Sequence, residues 1–377
     1  MPEVLITNAV MTNNGDAALV TTLASEIRRR GHRVSIATHN LAFATEHYPE
    51  WQFHQDVVGS RLLGPRRIFA RAAIPVLVRF SQAYHAADIV IGAPGGYINS
   101  YYGFQWKALA LRTSRQQGKR VALYAQSLGP LNDLDRERLR SLGGAIDIVM
   151  PRDEESERMA STCGIPSSRI RRTPDAIFLR MPHHDTARKS SGPVLISVRE
   201  WTHDGVDVGE YVAAMQAIVM DIVGRGYAVQ FVSTCQGVSG YVDDSVMAKR
   251  IVGGLRLRPH DRVSVEARWL SLSELDERIE AAPFVVGTRL HMCLLSLLRG
   301  VPAFNISYEA KGRECYAYLG ISDLSVEYGA APAGVAAKFK QFVTEGRMRM
   351  DDTWAQIRVL HNAAQSDLDQ VLGELSR

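Results

Sequence analysis

The chain has 377 residues, more than one ordinary core accommodates, so two domains are expected. Apolar residues make up 46% and charged residues 22%, the balance of a water-soluble globular protein. A net charge of +4 is too mild to argue for nucleic acid and is compatible with a small anionic substrate. Cys163, Cys235, Cys293 and Cys315 show neither metal-ligand spacing nor disulfide density, so free thiols in a reducing cytoplasm are expected. The N-terminus lacks a basic region followed by a long apolar run, so no signal peptide is expected. No stretch of 18 apolar residues predicts a membrane span.

In chain order, Val4 to Ile6 reads as a buried strand, Ala17 to Arg30 as a helix closed by Gly31, and Arg33 to Ala37 as a second strand. This is the βαβ opening of a Rossmann-like unit. It lacks Gly-x-Gly-x-x-Gly, which disfavours a nicotinamide or flavin dinucleotide. Asn14-Gly15-Asp16 lies at the carboxyl end of the first strand, where open α/β sheets bind ligands. Asp16 equally suits a helix cap facing the positive dipole end. The segment from Leu62 to Phe80 interleaves Arg66, Arg67, Arg71 and Arg79 with apolar residues, and Arg61 precedes it. It reads as a solvated helix face, with an anionic membrane surface as the alternative.

Ala87 to Gly92 is a further strand, followed by Gly95-Gly96 in a turn that permits close backbone approach to a ligand. Tyr97, Tyr101, Tyr102 and Trp106 cluster after it, either as core or as faces for sugar rings. Val121 to Gln126 and Ile146 to Met150 are strands, and Arg152 follows the second of them. A helix dipole disfavours a cation there, so Arg152 needs an anionic partner, either a ligand or a carboxylate such as Asp16 or Asp175.

Met181 to Gly192 is polar and reads as an interdomain linker. Its His183-His184 pair lacks ligand spacing, so no metal is expected. Beyond it the sequence predicts strands at Val194–Val198, Ala228–Val232, Arg262–Val265, Phe284–Val286 and Ala303–Ile306. Helices are predicted at Val208–Val223, Val242–Val252, Leu272–Ala282, Leu290–Leu298, Ala331–Phe342 and Thr353–Leu375. The last helix is amphipathic, and one expected placement is back across the first domain. Arg199, Arg289 and Lys311 each follow a predicted strand, as Arg152 does. Carboxyl ends of parallel strands share one edge, and a helix N-terminus adds unpaired N–H groups, a setting for a heavily charged anion. Each cation taken alone also fits a surface ion pair.

The stretch from Pro283 to Gly312 runs strand, Gly-x-Arg-x-His, apolar helix, Gly-x-Pro, strand, Tyr-x-x-Lys. With Asn14-Gly15-Asp16, Gly95-Gly96 and Arg152-Asp153 it resembles the polysaccharide pyruvyl transferases. The resemblance implies a GT-B-like α/β fold of two Rossmann-like domains facing a cleft. The acceptor-side domain is expected at 1–182 and the phosphoenolpyruvate-side domain at 190–377. It further implies transfer of a pyruvyl ketal from phosphoenolpyruvate to a sugar of a cell-surface polysaccharide, glycolipid or precursor. His291, Arg152 and Lys311 would be catalytic. Arg152, Arg199, Thr288, Arg289, Leu290 and Lys311 would bind the donor. Asn14, Asp16, Gly95, Gly96, Tyr97 and Asn99 would hold the acceptor. Lys311 is a departure, because some members carry Arg there and Lys lacks the bidentate fork. No cofactor, metal or nucleic acid is expected, only phosphoenolpyruvate as co-substrate and a glycan or lipid-linked sugar as acceptor. The chain is expected to be cytoplasmic, with peripheral contact at the inner membrane face as a further reading. No pattern sets an oligomeric state. The competing functions are a GT-B glycosyltransferase using a nucleotide sugar, with Glu309 recruited to the ribose, and a non-catalytic glycan- or anion-binding protein.

Overall fold

The computed structural model describes residues 1–59, 70–183, 190–202, 207–346 and 349–377. It divides into two compact units. The first comprises Met1–Thr12, Asp16–Arg180 and Leu360–Arg377; the second comprises Asn13–Gly15 and Met181–Val359. Residues 60–69 of the arginine-rich segment, with Arg61, Arg66 and Arg67, lie outside the described residues, as does His184.

The first unit is built on seven parallel strands: β1 (Glu3–Ala9), β2 (Arg33–Thr38), β3 (Phe53–Gln55), β4 (Ile89–Gly92), β5 (Gly95–Ile98), β6 (Arg120–Leu128) and β7 (Ile148–Pro151). Their order is β3-β2-β1-β4-β6, and both β5 and β7 pair with β6. A parallel strand covered on both faces needs a continuous apolar run, and Val4 to Ala9 are buried throughout. The helices are α1 (Asn14–Arg29), α2 (Leu41–His47), α3 (Ala70–Phe80), α4 (Gln82–Ala86), α5 (Phe104–Gln116), α6 (Asp133–Gly143) and α7 (Glu154–Thr162). In α1 the buried Leu19, Leu23 and Ile27 recur every fourth residue, the spacing of a helix with one core face.

Two local expectations change here. Gly95 and Gly96 belong to a strand rather than a turn. Gly95 has φ of 140°, which only glycine adopts without strain, and this lets the chain leave β4 and rejoin the same edge of β6. Asp16 lies in the first turn of α1, not at its cap, because the helix begins two residues earlier.

The chain reverses direction across the sheet between β1 and β4, the switch point at which open α/β sheets take ligands. Buried Asp56 braces that edge. Its carboxylate accepts hydrogen bonds from Thr7 Oγ1, Asn8 N and Val58 N, each at 2.8 Å.

The second unit has six parallel strands: β8 (Val194–Ser197), β9 (Val229–Phe231), β10 (Val263–Val265), β11 (Val285–Gly287), β12 (Ala303–Ser307) and β13 (Ser325–Glu327). Their order is β10-β9-β8-β11-β12-β13. The helices are α8 (Val208–Gly224), α9 (Asp244–Gly253), α10 (Leu272–Ala281), α11 (Leu290–Leu298), α12 (Ala310–Tyr318), α13 (Pro332–Glu345) and α14 (Met350–Leu375). Phe284, Phe304, Phe339 and Phe342 form one aromatic cluster, with ring centroids 5.5–6.1 Å apart. From Leu360 onward the last helix groups with the first unit. Among the described residues no helix is long and apolar enough to cross a membrane.

All four cysteines are free and buried. Burial pushes the Cys293 thiol up to about 11, which keeps it protonated and unreactive near neutral pH. The native chain at pH 8 is therefore expected to leave Cys293 unalkylated by iodoacetamide, with modification only after denaturation, read by peptide mass.

Candidate functional site

The site in the second unit follows from strand register. Gly287 of β11 pairs with Ser197 of β8 on one side and Asn305 of β12 on the other. β8 and β11 therefore end level, β12 continues two residues further to Ser307, and the residues just beyond these parallel strands share one edge. Those residues are Arg199 and Trp201 after β8, Thr288 to His291 after β11, and Tyr308 to Lys311 after β12. Gly287 lets α11 start immediately. A Cβ there would collide with Sγ of Cys293, one turn into the helix.

Thr288 is fixed at both ends. Its N–H donates to Ser197 O at 2.7 Å, and its hydroxyl lies 2.7 Å from Tyr211 OH. Tyr211 in turn stacks on Tyr328 at 4.0 Å. Arg289 occupies the N-cap of α11 without capping it through its side chain. Its guanidinium donates twice to Asp244, from Nε at 2.8 Å and Nη2 at 2.7 Å. Arg289 is 8% exposed and Asp244 3%. Burial works against the Arg289 charge, but the Asp244 carboxylate outweighs it and raises the guanidinium pKa above its ordinary value. Ser233 Oγ also donates to Asp244 and lies 3.1 Å from Ser197 Oγ, which ties the end of β8 to the same carboxylate. The fork that the sequence assigns to a donor anion thus holds a carboxylate of the chain itself.

Next to this pair lies a cation and aromatic cluster. The Arg199 guanidinium sits 4.9 Å from the Trp201 ring centre and 4.4 Å from that of Tyr308, and it donates to Tyr308 OH. The two rings are 4.6 Å apart. Lys311, in the first turn of α12, pairs with Glu309 and lies 5.9 Å from the Tyr308 ring. The Tyr308 hydroxyl and the two rings position Arg199, and Glu309 positions Lys311, at a strand edge suited to phosphate or carboxylate oxygens.

His291 is half-buried in the first turn of α11. Asn13–Gly15 groups with this unit, and a Cβ on Gly15 would stand 3.1 Å from both Cβ and Nδ1 of His291. Glycine leaves the room that the imidazole fills. Asn14 is tied down by its N–H to Thr234 O and by Nδ2 to Leu270 O, both at 2.7 Å.

The remaining expected residues belong to the first unit. Arg152 is buried, donating from Nη1 to Asp175 Oδ2 at 2.6 Å and from Nε to Ser127 Oγ at 2.8 Å. Asp175 is thus a partner that offsets the unfavourable dipole. A Cβ on Gly95 would lie 3.8 Å from Asp16 Oδ1, so the β5 edge and the first turn of α1 are neighbours. Asn99 serves the backbone: Oδ1 accepts from Tyr101 N and Tyr102 N, and Nδ2 donates to Gly96 O at 2.7 Å. Tyr97 is buried, which raises its phenol pKa, whereas Tyr101 and Tyr102 are exposed.

The family model for polysaccharide pyruvyl transferases matches residues 13–310. The chain belongs to that family. A curated relative of this pyruvyl transferase family member is the amylovoran biosynthesis protein AmsJ of Erwinia amylovora, 25% identical over 280 residues. That match covers 68% of this chain and 66% of the relative, just under two thirds of its length. Among solved structures, UDP-GlcNAc 2-epimerase from Neisseria meningitidis bound to UDP-GlcNAc superposes with a TM-score of 0.61 at 10% identity, covering 99% of this chain and 100% of that one. Anabaena Alr3699/HepE in complex with UDP and glucose gives 0.60 at 11% identity, covering 99% of each chain. At these identities the likeness concerns the fold alone, two Rossmann-like domains of GT-B type.

Sequence reasoning on this pyruvyl transferase family member missed Asp244, Ser233 and Tyr211, which hold Arg289 and Thr288. A signal existed for Asp244, an acid opening a helix after the Ser233-Thr234 strand end, but it resembled an ordinary dipole complement.

Proposed function

We propose that the chain transfers pyruvate as a ketal from phosphoenolpyruvate to a sugar of a surface polysaccharide, glycolipid or precursor. The observation that carries this reading is the shared parallel register of β8, β11 and β12, whose carboxyl ends are followed by Arg199, His291 and Lys311 on one edge of the second unit. Family membership supports it. In the proposed reaction His291 protonates the methylene carbon of the enol phosphate, a sugar hydroxyl adds to C2, and the proton of that hydroxyl returns to the imidazole. Phosphate leaves with its bonding electrons, stabilised by Arg199 and Lys311. A second hydroxyl closes the ketal and its proton passes to the departing phosphate or solvent. Arg289, already neutralised by Asp244, holds the start of α11 in place and offers the donor its remaining edge. Arg152 is assigned to the donor, and Asn14, Asp16, Gly95, Gly96, Tyr97 and Asn99 to the acceptor.

The test is incubation with phosphoenolpyruvate and a panel of glycans, scored by product mass and phosphate release. A thermal shift with nucleotide sugars, none with phosphoenolpyruvate, and glycosyl rather than pyruvyl products would overturn the reading. Tyr308 gives a sharper check. Tyr308→Phe removes the hydroxyl that fixes Arg199 while keeping the ring beneath it. A hydrogen bond to a charged group contributes about 1.5–3 kcal/mol when buried. Arg199 is half-buried, so a loss near the low end is expected, about tenfold weaker phosphoenolpyruvate binding by calorimetry.

A further inference from the structure

The outer face of α3 is not explained by the proposed reaction and does not depend on it. Its core side is formed by Ala70, Ile74 and Val78, all buried. Two rows remain outside at the i, i+4, i+8 spacing of a helix. One row is Arg71, Pro75 and Arg79; the other is Ala72, Val76 and Phe80. Phe80 is 80% exposed and Val76 54%. The helix contains no acidic residue. Neither Arg71 nor Arg79 has an ion-pair partner among the described residues. Pro75 lacks the N–H that would bond the Arg71 carbonyl, so this face also carries a backbone acceptor without its usual helical partner.

We propose that this face docks on an anionic lipid bilayer, with the apolar row at the acyl boundary and the arginines at phosphate headgroups. A solvated helix face explains the arginines but not Phe80, whose ring lies almost wholly in water beside another exposed apolar residue. A protein partner would need to meet two guanidinium groups, which have no ion-pair partner among the described residues, with placed carboxylates. An anionic headgroup layer supplies phosphates at any register, and its boundary accepts Val76 and Phe80 together. The cation row beside the apolar row matches that layered chemistry.

The test uses the full chain in a vesicle flotation assay. One set of vesicles contains phosphatidylcholine with about 30% phosphatidylglycerol, an anionic fraction sufficient for surface attraction. The other contains phosphatidylcholine alone. Wild type is expected to float with the anionic set and to be released at about 0.5 M salt, where the Debye length is roughly 4 Å. Arg71→Glu/Arg79→Glu should lower binding at least about tenfold, since each cation near the surface contributes several-fold. Val76→Ser/Phe80→Ser should lower it similarly at low salt. Both variants change exposed positions, so an unchanged circular dichroism melt is the expected check of folding. Equal flotation with neutral vesicles, no flotation with either, or full binding by the arginine variant overturns the proposal. So does concentration-dependent self-association of wild type that Val76→Ser/Phe80→Ser abolishes, which would make the face a contact between copies.

Discussion

Asp244→Ala is expected to destabilise the second unit by about 3–5 kcal/mol, the usual cost of breaking a buried ion pair from one side. The size follows from what remains. Arg289 is 8% exposed, and its guanidinium cannot shed its proton to escape the low-dielectric site. Two charge-assisted bonds of 2.7 and 2.8 Å disappear, and Ser233 loses an acceptor. Asp244→Asn keeps one acceptor oxygen but removes the charge, so it should fall between the two. Arg289→Met/Asp244→Ala should recover a large part of the loss, because it removes the stranded charge as well as its partner. Urea unfolding of all three variants measures this. A loss under about 1 kcal/mol for Asp244→Ala would mean that the pair behaves as a surface ion pair, and that α9 does not hold the start of α11. Because Arg289 stands at the start of the helix that carries His291, the same variant should also impair the site.

The parts of this architecture that were legible share one property: a local pattern decides them. The helix Leu290–Leu298 was read to the residue, since a leucine-rich run is bounded by Gly287-Thr288 and by Gly300 and Pro302. Parallel strands covered on both faces write themselves as short apolar runs, so the positions of Arg199 and Arg289 at strand ends were also readable. What Arg289 binds was not. Asp244 lies 45 residues away, and no periodicity links the two positions. For Lys311 only its place after a strand was readable; that it lies in the first turn of α12 and pairs with Glu309 two positions before it was not. The aromatic cluster after Gly96 was left open between core and site. The structure divides it, with Tyr97 inside on its strand and Tyr101 and Tyr102 exposed on a 3-10 turn held by Asn99. Side-chain partners depend on which strands neighbour one another, and that order is long-range information.

His291→Ala is expected to lower turnover about 10²–10⁴-fold, the typical worth of a positioned general acid. The argument separates proton supply from anion binding. Arg199 is held by the Tyr308 hydroxyl and lies against the Trp201 and Tyr308 rings, and Lys311 reaches the same edge from α12, so neither depends on the imidazole for its place. Phosphoenolpyruvate affinity should therefore remain within about threefold of wild type by calorimetry, a difference under 1 kcal/mol. Arg199→Ala should behave in the opposite way, losing donor affinity first, because it removes a charge that phosphate or carboxylate would meet in the ground state as well as the transition state. His291→Gln is a useful third variant. It keeps a polar side chain beside Gly15 but cannot act as a proton donor and acceptor in turn, so it should be as slow as alanine if proton transfer is the role and nearly active if the residue only fills space. Single-turnover phosphate release with saturating donor reads the chemical step directly. If His291→Ala releases phosphate within tenfold of wild type while Arg199→Ala fails to bind, the anion edge stands and another group is the acid. If His291→Ala instead loses donor binding with turnover intact, the imidazole belongs to the anion site and the proton must come from elsewhere on this edge.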